Sequence, residues 1–166
     1  MTTLVIPPRE GKAVSLGGFG AIFKISGESS EGRFSIVEHP IDPGRMVHPH
    51  VHAHEDEFSY ILEGEIGARV GDEVVQATTG SYVFKPRGLP HTFWNATTQP
   101  ARLLELISPA GFEQYFAELA DLLLGPCGLE TTRLRFGPLV CPMTFRHPSL
   151  LARMAAAVDT LSGGRR

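Results

Sequence analysis

Histidine recurs at every second position of one short segment, and this is the strongest chemical signal in the chain. The four residues are His48, His50, His52 and His54. Alternate residues of an extended strand share one face, so these imidazoles can point toward a common centre. Imidazole is the commonest metal ligand in proteins and suits transition metals. The segment therefore indicates a metal site built on a strand.

Two different carboxylates follow the histidines at a spacing that suits a shared metal site. Four residues separate His52 from Glu57, and four also separate His50 from Glu55. Spacing alone leaves two registers open, one starting at His50 and the other at His48. In either register the carboxylate differs in strand parity from the histidines, so the chain must turn before it.

Two motifs around these residues resemble the paired motifs of the cupin family, and all ten positions match. The first motif reads Gly44, His50, His52, Glu57 and Gly64. The second motif reads Gly80, Pro86, Gly88, His91 and Asn95. Glycine and proline are each only about 5–7% of average proteins, so this agreement at fixed spacing is not a chance pattern. The resemblance implies a jelly-roll β-barrel with a metal ion inside its mouth.

The glycines of the first motif decide between the two registers. A motif that started from His48 would need glycines at positions that hold Asp42 and Leu62. The resemblance therefore excludes His48 and His54 as ligands. It implies one divalent transition metal per chain, of the group Fe, Ni, Mn, Co, Cu and Zn, which nitrogen ligands suit better than Ca or Mg. The implied ligands are His50, His52, Glu57 and His91.

Within the cupins, the segments at Ile61–Gly64 and at Ser108–Phe116 resemble the quercetinase-like branch. This resemblance implies a metal-dependent dioxygenase that acts on a small phenolic or enolic substrate. Glu57 would then be the catalytic base as well as a ligand. Two alternatives stay open, because one fold carries many functions. They are a redox-neutral isomerase or lyase that uses the metal as a Lewis acid, and a non-catalytic protein that binds a small ligand.

Side chains beside the ligands predict an apolar pocket, which suits a small organic substrate. Ser59 and Ile61 share strand parity with Glu57, and Phe93 shares parity with His91. For each of these residues, a place in the barrel core is the alternative. The remaining pocket candidates are Phe34, Ile36, Met46 and Phe84.

The elements that must position these residues are short strands, because apolar runs before about Pro109 are brief and separated by turn residues. Gly71-Asp72 indicates a two-residue hairpin turn with glycine first. Ten short strands predict a sandwich or a closed barrel, and the resemblance narrows this to an all-β cupin jelly roll. The predicted strands are Leu4–Ile6, Phe19–Ile25, Arg33–Glu38, Met46–His52, Glu57–Leu62, Glu65–Val70, Glu73–Ala77, Tyr82–Lys85, His91–Trp94 and Ala101–Ile107.

The apolar period changes after the last predicted strand. From Phe112 to Leu123 apolar residues recur at helical spacing, with Ser108-Pro109 as the expected start signal. A second helix is predicted from Pro148 to Leu161. We therefore expect a single cupin domain over residues 1–166, with the barrel over about 1–108 and a helical extension over about 109–166.

Composition limits the partners and the compartment. The 166 residues are 42% hydrophobic and 20% charged with a net charge of -3, which is typical of a globular domain. A basic stripe for nucleic acid and an apolar run for a membrane are both missing from the sequence. Two cysteines, Cys127 and Cys141, and no visible secretory signal predict a cytoplasmic protein.

The Glu57 strand is apolar on its other face as well, where Phe58, Tyr60 and Leu62 lie. A strand that is apolar on both faces needs a second layer outside the barrel. The helix predicted over Phe112–Leu123 or a second subunit could supply this layer. The resemblance to cupins, which are commonly dimers, implies a homodimer. A small-molecule organic substrate is the further expected partner.

Overall fold

The computed structural model describes residues 5–124, which form ten β-strands and one α-helix. In chain order the strands are β1 (Lys12–Ser15), β2 (Gly20–Ile25), β3 (Ser35–Ile41), β4 (Met46–His50), β5 (Asp56–Glu63), β6 (Glu65–Val70), β7 (Glu73–Thr78), β8 (Tyr82–Lys85), β9 (His91–Trp94) and β10 (Ala101–Ser108). The helix that follows is α1 (Glu113–Leu124).

The strands form two antiparallel sheets that enclose one interior. The six-stranded sheet has the order β1-β2-β3-β10-β5-β8, and the four-stranded sheet has the order β4-β9-β6-β7. The chain crosses between the sheets repeatedly, as from β3 to β4 and from β4 to β5, which is typical of a jelly roll. The predicted all-β jelly-roll fold is confirmed.

Strand parity decides which side chains reach the interior. Along β10, Ala101, Leu103, Glu105 and Ile107 are buried, and the residues between them are only half-buried. The same alternation along β5 turns Glu57, Ser59 and Ile61 inward, as the sequence predicts. Because each inward position meets inward positions of its neighbours, the apolar core is continuous between the sheets. Its largest members are Ile41, Ile61, Ile66, Phe93 and Leu103.

Nine predicted strands have observed counterparts whose bounds differ by at most three residues. The hairpin turn between β6 and β7 is also confirmed, and Gly71 has a φ of 59° that favours glycine. The strand predicted at Leu4–Ile6 is wrong, because Val5 and Ile6 are not in a strand and Val5 is 73% exposed. Leu4 lies outside the described residues. The sequence missed β1, an edge strand that is largely exposed.

The helix predicted over Phe112–Leu123 is confirmed, one residue later at each end, but Ser108-Pro109 does not start it. Ser108 ends β10, and its hydroxyl donates to the Arg33 carbonyl at 2.9 Å instead of capping a helix. The Glu113 carboxylate takes the capping role, accepting from Gly111 N at 2.6 Å. The second predicted helix, Pro148–Leu161, lies outside the described residues, as do both cysteines.

Between residues 5 and 124, no helix combines the length and the hydropathy that a membrane crossing requires.

Candidate metal centre

The four residues implied as ligands come together at one point. Each of His50, His52, Glu57 and His91 offers a donor atom, and these atoms all lie within 4.8 Å of one another. Three of the residues are buried and His50 is half-buried. His48 and His54 are exposed and lie outside the cluster. The structure thus brings together the predicted set in the predicted register.

Both sheets contribute to the cluster. His50 on β4 lies directly opposite His91 on β9 in the four-stranded sheet. The pairing of these two strands shifts between Val47 and His50, so Val47 packs on the core and His50 still reaches the site. Glu57 comes from β5 in the six-stranded sheet. His52 stands in the connection between the sheets, which places the cluster at the barrel mouth.

The connection from β4 to β5 is held by the turn that precedes β9. The chain bends at Ala53 and His54, as the parity change before Glu57 predicts. The His52 carbonyl accepts from Gly88 N at 2.7 Å. Arg87 donates to both carboxylate oxygens of Asp56, at 3.1 Å from Nε and 2.7 Å from Nη2, and these bonds lower the pKa of Asp56 to about 2. The two cupin-type motifs are therefore tied to each other at the site.

Hydrogen bonds to the backbone orient two of the imidazoles. Nδ1 of His50 lies 2.8 Å from the His48 carbonyl, and Nδ1 of His91 lies 3.1 Å from the Leu89 carbonyl. An Nδ1–H that donates to a carbonyl leaves Nε2 with its lone pair for a metal. Burial, followed by the charge of His91, lowers the pKa of His50 to about 4, so His50 is neutral at pH 7. Neutral imidazole is the form that binds metal.

Polar atoms at the centre of the cluster lack hydrogen bonds. Within the described part of the chain, Nε2 of His52, Nε2 of His91 and Oε2 of Glu57 are buried without a hydrogen-bond partner. Their close contacts include one another and a lysine, with 3.1 Å from His52 Nε2 to Glu57 Oε1 and 3.2 Å from His91 Nε2 to Glu57 Oε2. Buried polar atoms normally have partners. Three nitrogens and one carboxylate that converge in this way fit a transition metal.

A buried lysine adjoins the glutamate of the cluster. Nζ of Lys85 lies 2.9 Å from Glu57 Oε2, and Lys85 is 1% exposed. Burial acts to raise the pKa of Glu57, but the Lys85 ammonium, then the adjacent imidazoles of His52 and His91, outweigh it and hold this pKa well below its usual range. Glu57 is therefore ionised at neutral pH, as a ligand must be.

The start of α1 covers one side of the cluster. The Phe112 ring meets the His52 ring edge-on, with centroids 4.1 Å apart. Glu113 fixes this position because its carboxylate also accepts from Gly27 N at 2.8 Å. A Cβ on Gly27 would lie 2.7 Å from the Ala110 Cβ, so only glycine allows this approach. The aromatic cover leaves the His50 side as the exposed approach to the cluster.

The predicted pocket residues separate into two groups. Ser59, Ile61 and Phe93 are buried inside the barrel, where Ile61 and Phe93 belong to the apolar core. Phe84 and Met46 are each 51% exposed, so their prediction as pocket residues is wrong. Both lie on outward positions, since Phe84 alternates with buried Val83 and Lys85, and Met46 precedes inward Val47.

The other two pocket candidates lie on β3 and just before it. Ile36 alternates with buried Ser35 and Val37 on β3, so it belongs to the outer face of the six-stranded sheet, and its prediction is wrong as well. Phe34 precedes β3 and is half-buried, and its backbone N and O bond the Ser30 hydroxyl, so its place in a pocket stays a prediction.

A groove of about 800 Å³ lies between β7 and β8, and Phe84 is part of its lining. None of the four cluster residues lines this groove, so it is separate from the candidate metal centre.

Sequence reasoning missed three buried polar residues near the cluster: Lys85, Glu105 and His39. A signal for them exists. Glu105 occupies an inward position between Leu103 and Ile107, and His39 occupies one between Val37 and Ile41. A charged residue in the apolar phase of a strand is buried, and a buried charge needs a partner of opposite sign. Lys85, in phase with Val83, provides that partner.

Sequence comparison identifies a known domain within the chain. Residues 38–107 match the sequence profile of the cupin domain, and residues 102–166 match that of luciferase-like monooxygenases. The chain is 36% identical over 67 residues to tetracenomycin polyketide synthase protein TcmJ of Streptomyces glaucescens. This alignment covers 40% of the chain and 45% of that protein, so the chain spans under half the length of this relative.

Solved structures agree on the fold. KdgF from Halomonas sp. aligns with a TM-score of 0.59 at 16% identity, over 68% of this chain and 99% of its own. An RmlC-like cupin from Shewanella frigidimarina aligns with a TM-score of 0.59 at 20% identity, over 69% of this chain and 99% of its own. At these identities the similarity shows the cupin fold alone. The chain therefore has a cupin fold, with a cluster of three histidines and one glutamate that could bind a metal.

Proposed function

We propose that this cupin-fold chain is a metal-dependent dioxygenase that acts on a small phenolic or enolic substrate. The observation that carries the proposal is the buried convergence of His50, His52, Glu57 and His91, whose donor atoms lie within 4.8 Å of one another. Four protein ligands leave positions free on an ion that accepts five or six, which favours a catalytic over a closed structural site. When bound, the metal would supply polarisation of a substrate oxygen and a binding position for dioxygen.

The chain's own residues fit a substrate with an acidic hydroxyl group. Glu57 is ionised and its pKa is held low, mainly by Lys85, against the effect of burial. A base of low pKa removes a proton readily only from an acidic group, such as the enol of a 1,3-diketone or a polyphenol. Phe112 provides an aromatic wall beside His52 that excludes water from this side of the site. These two features together support a planar, acidic organic substrate.

A redox-neutral reaction at the same site is the second candidate. The relative in Streptomyces glaucescens is named as a polyketide synthase protein. Polyketide chains carry many 1,3-diketone units, whose enolates condense without dioxygen. The same Glu57 and the same metal, acting only as a Lewis acid, would serve that chemistry. Both candidates share the enolic substrate and differ in their need for dioxygen.

Metal content and oxygen uptake test the proposal together. Protein purified without added metal should contain close to one equivalent of a transition metal by elemental analysis. The His91→Ala variant should lose both the metal and the activity, whereas the His54→Ala variant should keep both, because His54 is exposed and outside the cluster. A wild-type protein that takes up no transition metal would defeat the proposal.

Oxygen consumption then separates the two candidates. With polyphenols and 1,3-diketones as substrates, the dioxygenase proposal expects uptake of one dioxygen for each substrate consumed, and no turnover under nitrogen. Equal turnover under air and under nitrogen would instead support the redox-neutral reaction. The His54→Ala variant is the control for nonspecific loss of activity, since it changes an imidazole two residues from a ligand.

A further inference from the structure

Lys85 contacts two buried carboxylates on opposite sides of its ammonium group. Nζ lies 2.9 Å from Oε2 of Glu57, and it donates a hydrogen bond to Oε1 of Glu105. All three side chains are at most 3% exposed. The ring of Phe93 lies under the ammonium, with 4.9 Å from Nζ to the ring centroid. Lys85 thus lies behind the candidate metal centre, inside the barrel.

Strand register places this group with little freedom. β10, β5 and β8 are neighbours in the six-stranded sheet. Lys85 is the direct cross-strand partner of Glu57, and Glu105 is the direct partner of Ser59. Inward side chains at adjacent positions of neighbouring strands lie within contact distance. The backbone therefore brings Lys85 to both carboxylates.

Further polar contacts hold Glu105 in turn. The Ser59 hydroxyl donates to Glu105 Oε1 at 2.9 Å. Nε2 of His39 lies 3.4 Å from Glu105 Oε2, and Nδ1 of His39 lies 2.8 Å from the Gly20 carbonyl. Glu105 is thus held by Ser59 and His39, and it in turn holds Lys85. Glu57 is then the group that Lys85 orients.

The energetics argue against a purely structural role. A buried ion pair gains little stability over an apolar pair of similar size, because desolvation offsets the attraction. The surrounding interior already has Ile61, Leu103 and Ile107 as apolar core. We therefore explain the buried Lys85–Glu105 pair by its effect on the neighbouring Glu57 carboxylate.

We propose that Lys85 is a positioning residue for the metal centre: its ammonium, 2.9 Å from Oε2, holds the Glu57 carboxylate in the orientation that turns Oε1 toward His52 and Oε2 toward His91. Glu105 keeps Lys85 in place. This inference rests on the metal centre proposed above. It assigns the residue that fixes the Glu57 carboxylate among the three histidines before a metal binds.

The test compares two double variants, one on each face of the sheet, that each replace a cation and a carboxylate that it contacts. Lys85→Met with Glu105→Gln removes the inner pair without leaving an unpaired charge between these two residues. Arg102→Met with Glu38→Gln removes a pair on the outer face of the same sheet, where Nη1 of Arg102 lies 2.9 Å from Glu38 Oε2. Metal-free protein is titrated with Co²⁺, and its affinity, its visible absorption spectrum and its thermal unfolding are measured.

The inner double variant should bind Co²⁺ about 10- to 100-fold more weakly, the range typical of lost contacts to a metal ligand. Its Co²⁺ spectrum should change, because the Glu57 carboxylate is no longer held in one orientation. The outer double variant should match the wild type in both readouts. A folded inner variant with wild-type affinity and spectrum would overturn the inference and leave the metal centre intact. Wild-type protein that binds no Co²⁺ would overturn both.

A single variant covers the case in which the inner double variant fails to fold. Glu105→Gln keeps the Lys85 ammonium and every proposed ligand, but it removes the charge that holds Lys85 in place. Its Co²⁺ affinity should fall below that of the wild type, and its spectrum should change. A folded Glu105→Gln protein with wild-type affinity and spectrum would overturn the inference.

Discussion

The inner and outer faces of the six-stranded sheet differ in a way that alternates residue by residue. On three neighbouring strands a charged residue turns inward while the residue beside it in the chain is apolar and turns outward. The pairs are Glu57 with Phe58, Lys85 with Phe84, and Glu105 with Leu106. At these three pairs of positions the charge lies inside, next to the candidate metal centre, and the apolar side chain lies outside.

The two faces also differ in whether their side chains have partners. Inside, each charge has an opposite partner at short range, as Lys85 has in Glu57 and Glu105. Outside, Phe58 and Phe84 stack on each other with centroids 4.5 Å apart, yet remain 43% and 51% exposed. Among residues 5–124, the inner charges therefore have partners, whereas Phe58 and Phe84 stay largely uncovered on the outer face. Four predictions test this difference.

The largest effect is expected at Glu57, where the inner face is proposed to do chemistry. Glu57→Gln keeps the size and one acceptor oxygen but removes the basicity. We expect most of the metal to stay on the three histidines while turnover falls by roughly two to four decades, as for a lost general base. Steady-state kinetics with metal analysis on the same sample measure this. Full turnover with the metal in place would reduce Glu57 to a ligand.

Unpairing the inner charges should destabilise the fold strongly. Lys85→Met leaves Glu57 and Glu105 buried side by side without their cation, and removal of one partner from a buried pair typically costs about 3–5 kcal/mol. Urea unfolding of the metal-free protein measures the free energy of unfolding. Arg102→Met on the outer face is the matched control and should cost about 1 kcal/mol or less. Equal losses in both variants would contradict the distinction between the faces.

Acid should weaken the inner face selectively. Burial and the charge of Glu57 push the pKa of Glu105 up, but Lys85 and His39 outweigh them and bring it down to about 2, from 4.5. A carboxylate whose pKa is lower in the folded state stabilises the fold above its unfolded pKa. That stability is lost as the pH falls from about 4.5 toward about 2.

Thermal unfolding of metal-free protein across this pH range measures the loss. The Lys85→Met, Glu105→Gln double variant should show a shallower decline, because it lacks the ion pair that lowers this pKa. An identical pH dependence in the two proteins would show that other carboxylates account for the acid sensitivity.

Changes to the aromatic pair on the outer face should have the smallest effect on folding and the main effect on assembly. We propose that the outer aromatic face joins two copies of the chain. Phe58→Ser with Phe84→Ser should convert a dimer to a monomer in light scattering and should cost only about 1 kcal/mol of stability, the value of one ring pair. A wild-type protein that is monomeric at micromolar concentration would count against the homodimer.

The sequence predicts the inward residues well where one strand combines a motif with alternation. Glu57 carries the cupin-type signature, so Ser59 and Ile61 follow from parity and are indeed buried. Phe84 and Ile36 lack such an anchor. Their strands have apolar residues in both phases, and periodicity alone does not say which phase faces the core. The pocket predictions failed at these positions.

The contact between Lys85 and Glu105 could not be predicted from the sequence. Both residues occupy the apolar phase of a strand, which the sequence could have revealed as buried charge. Their meeting depends on the order β10-β5-β8, because these strands are neighbours in the sheet but far apart in the chain. Sheet order is a long-range property that local patterns do not encode. The metal ligands were easier because their family spacing already contains that information.

The ligands come from both sheets, with His50 and His91 on one and Glu57 on the other. A bound ion would therefore cross-link the two sheets through its bonds to these ligands. The sheets could not separate before at least one of these bonds broke, so the lifetime of the native state would follow the rate of metal release. An ion that exchanges slowly would make the same chain kinetically durable, and a chelator would shorten its life without altering a single residue.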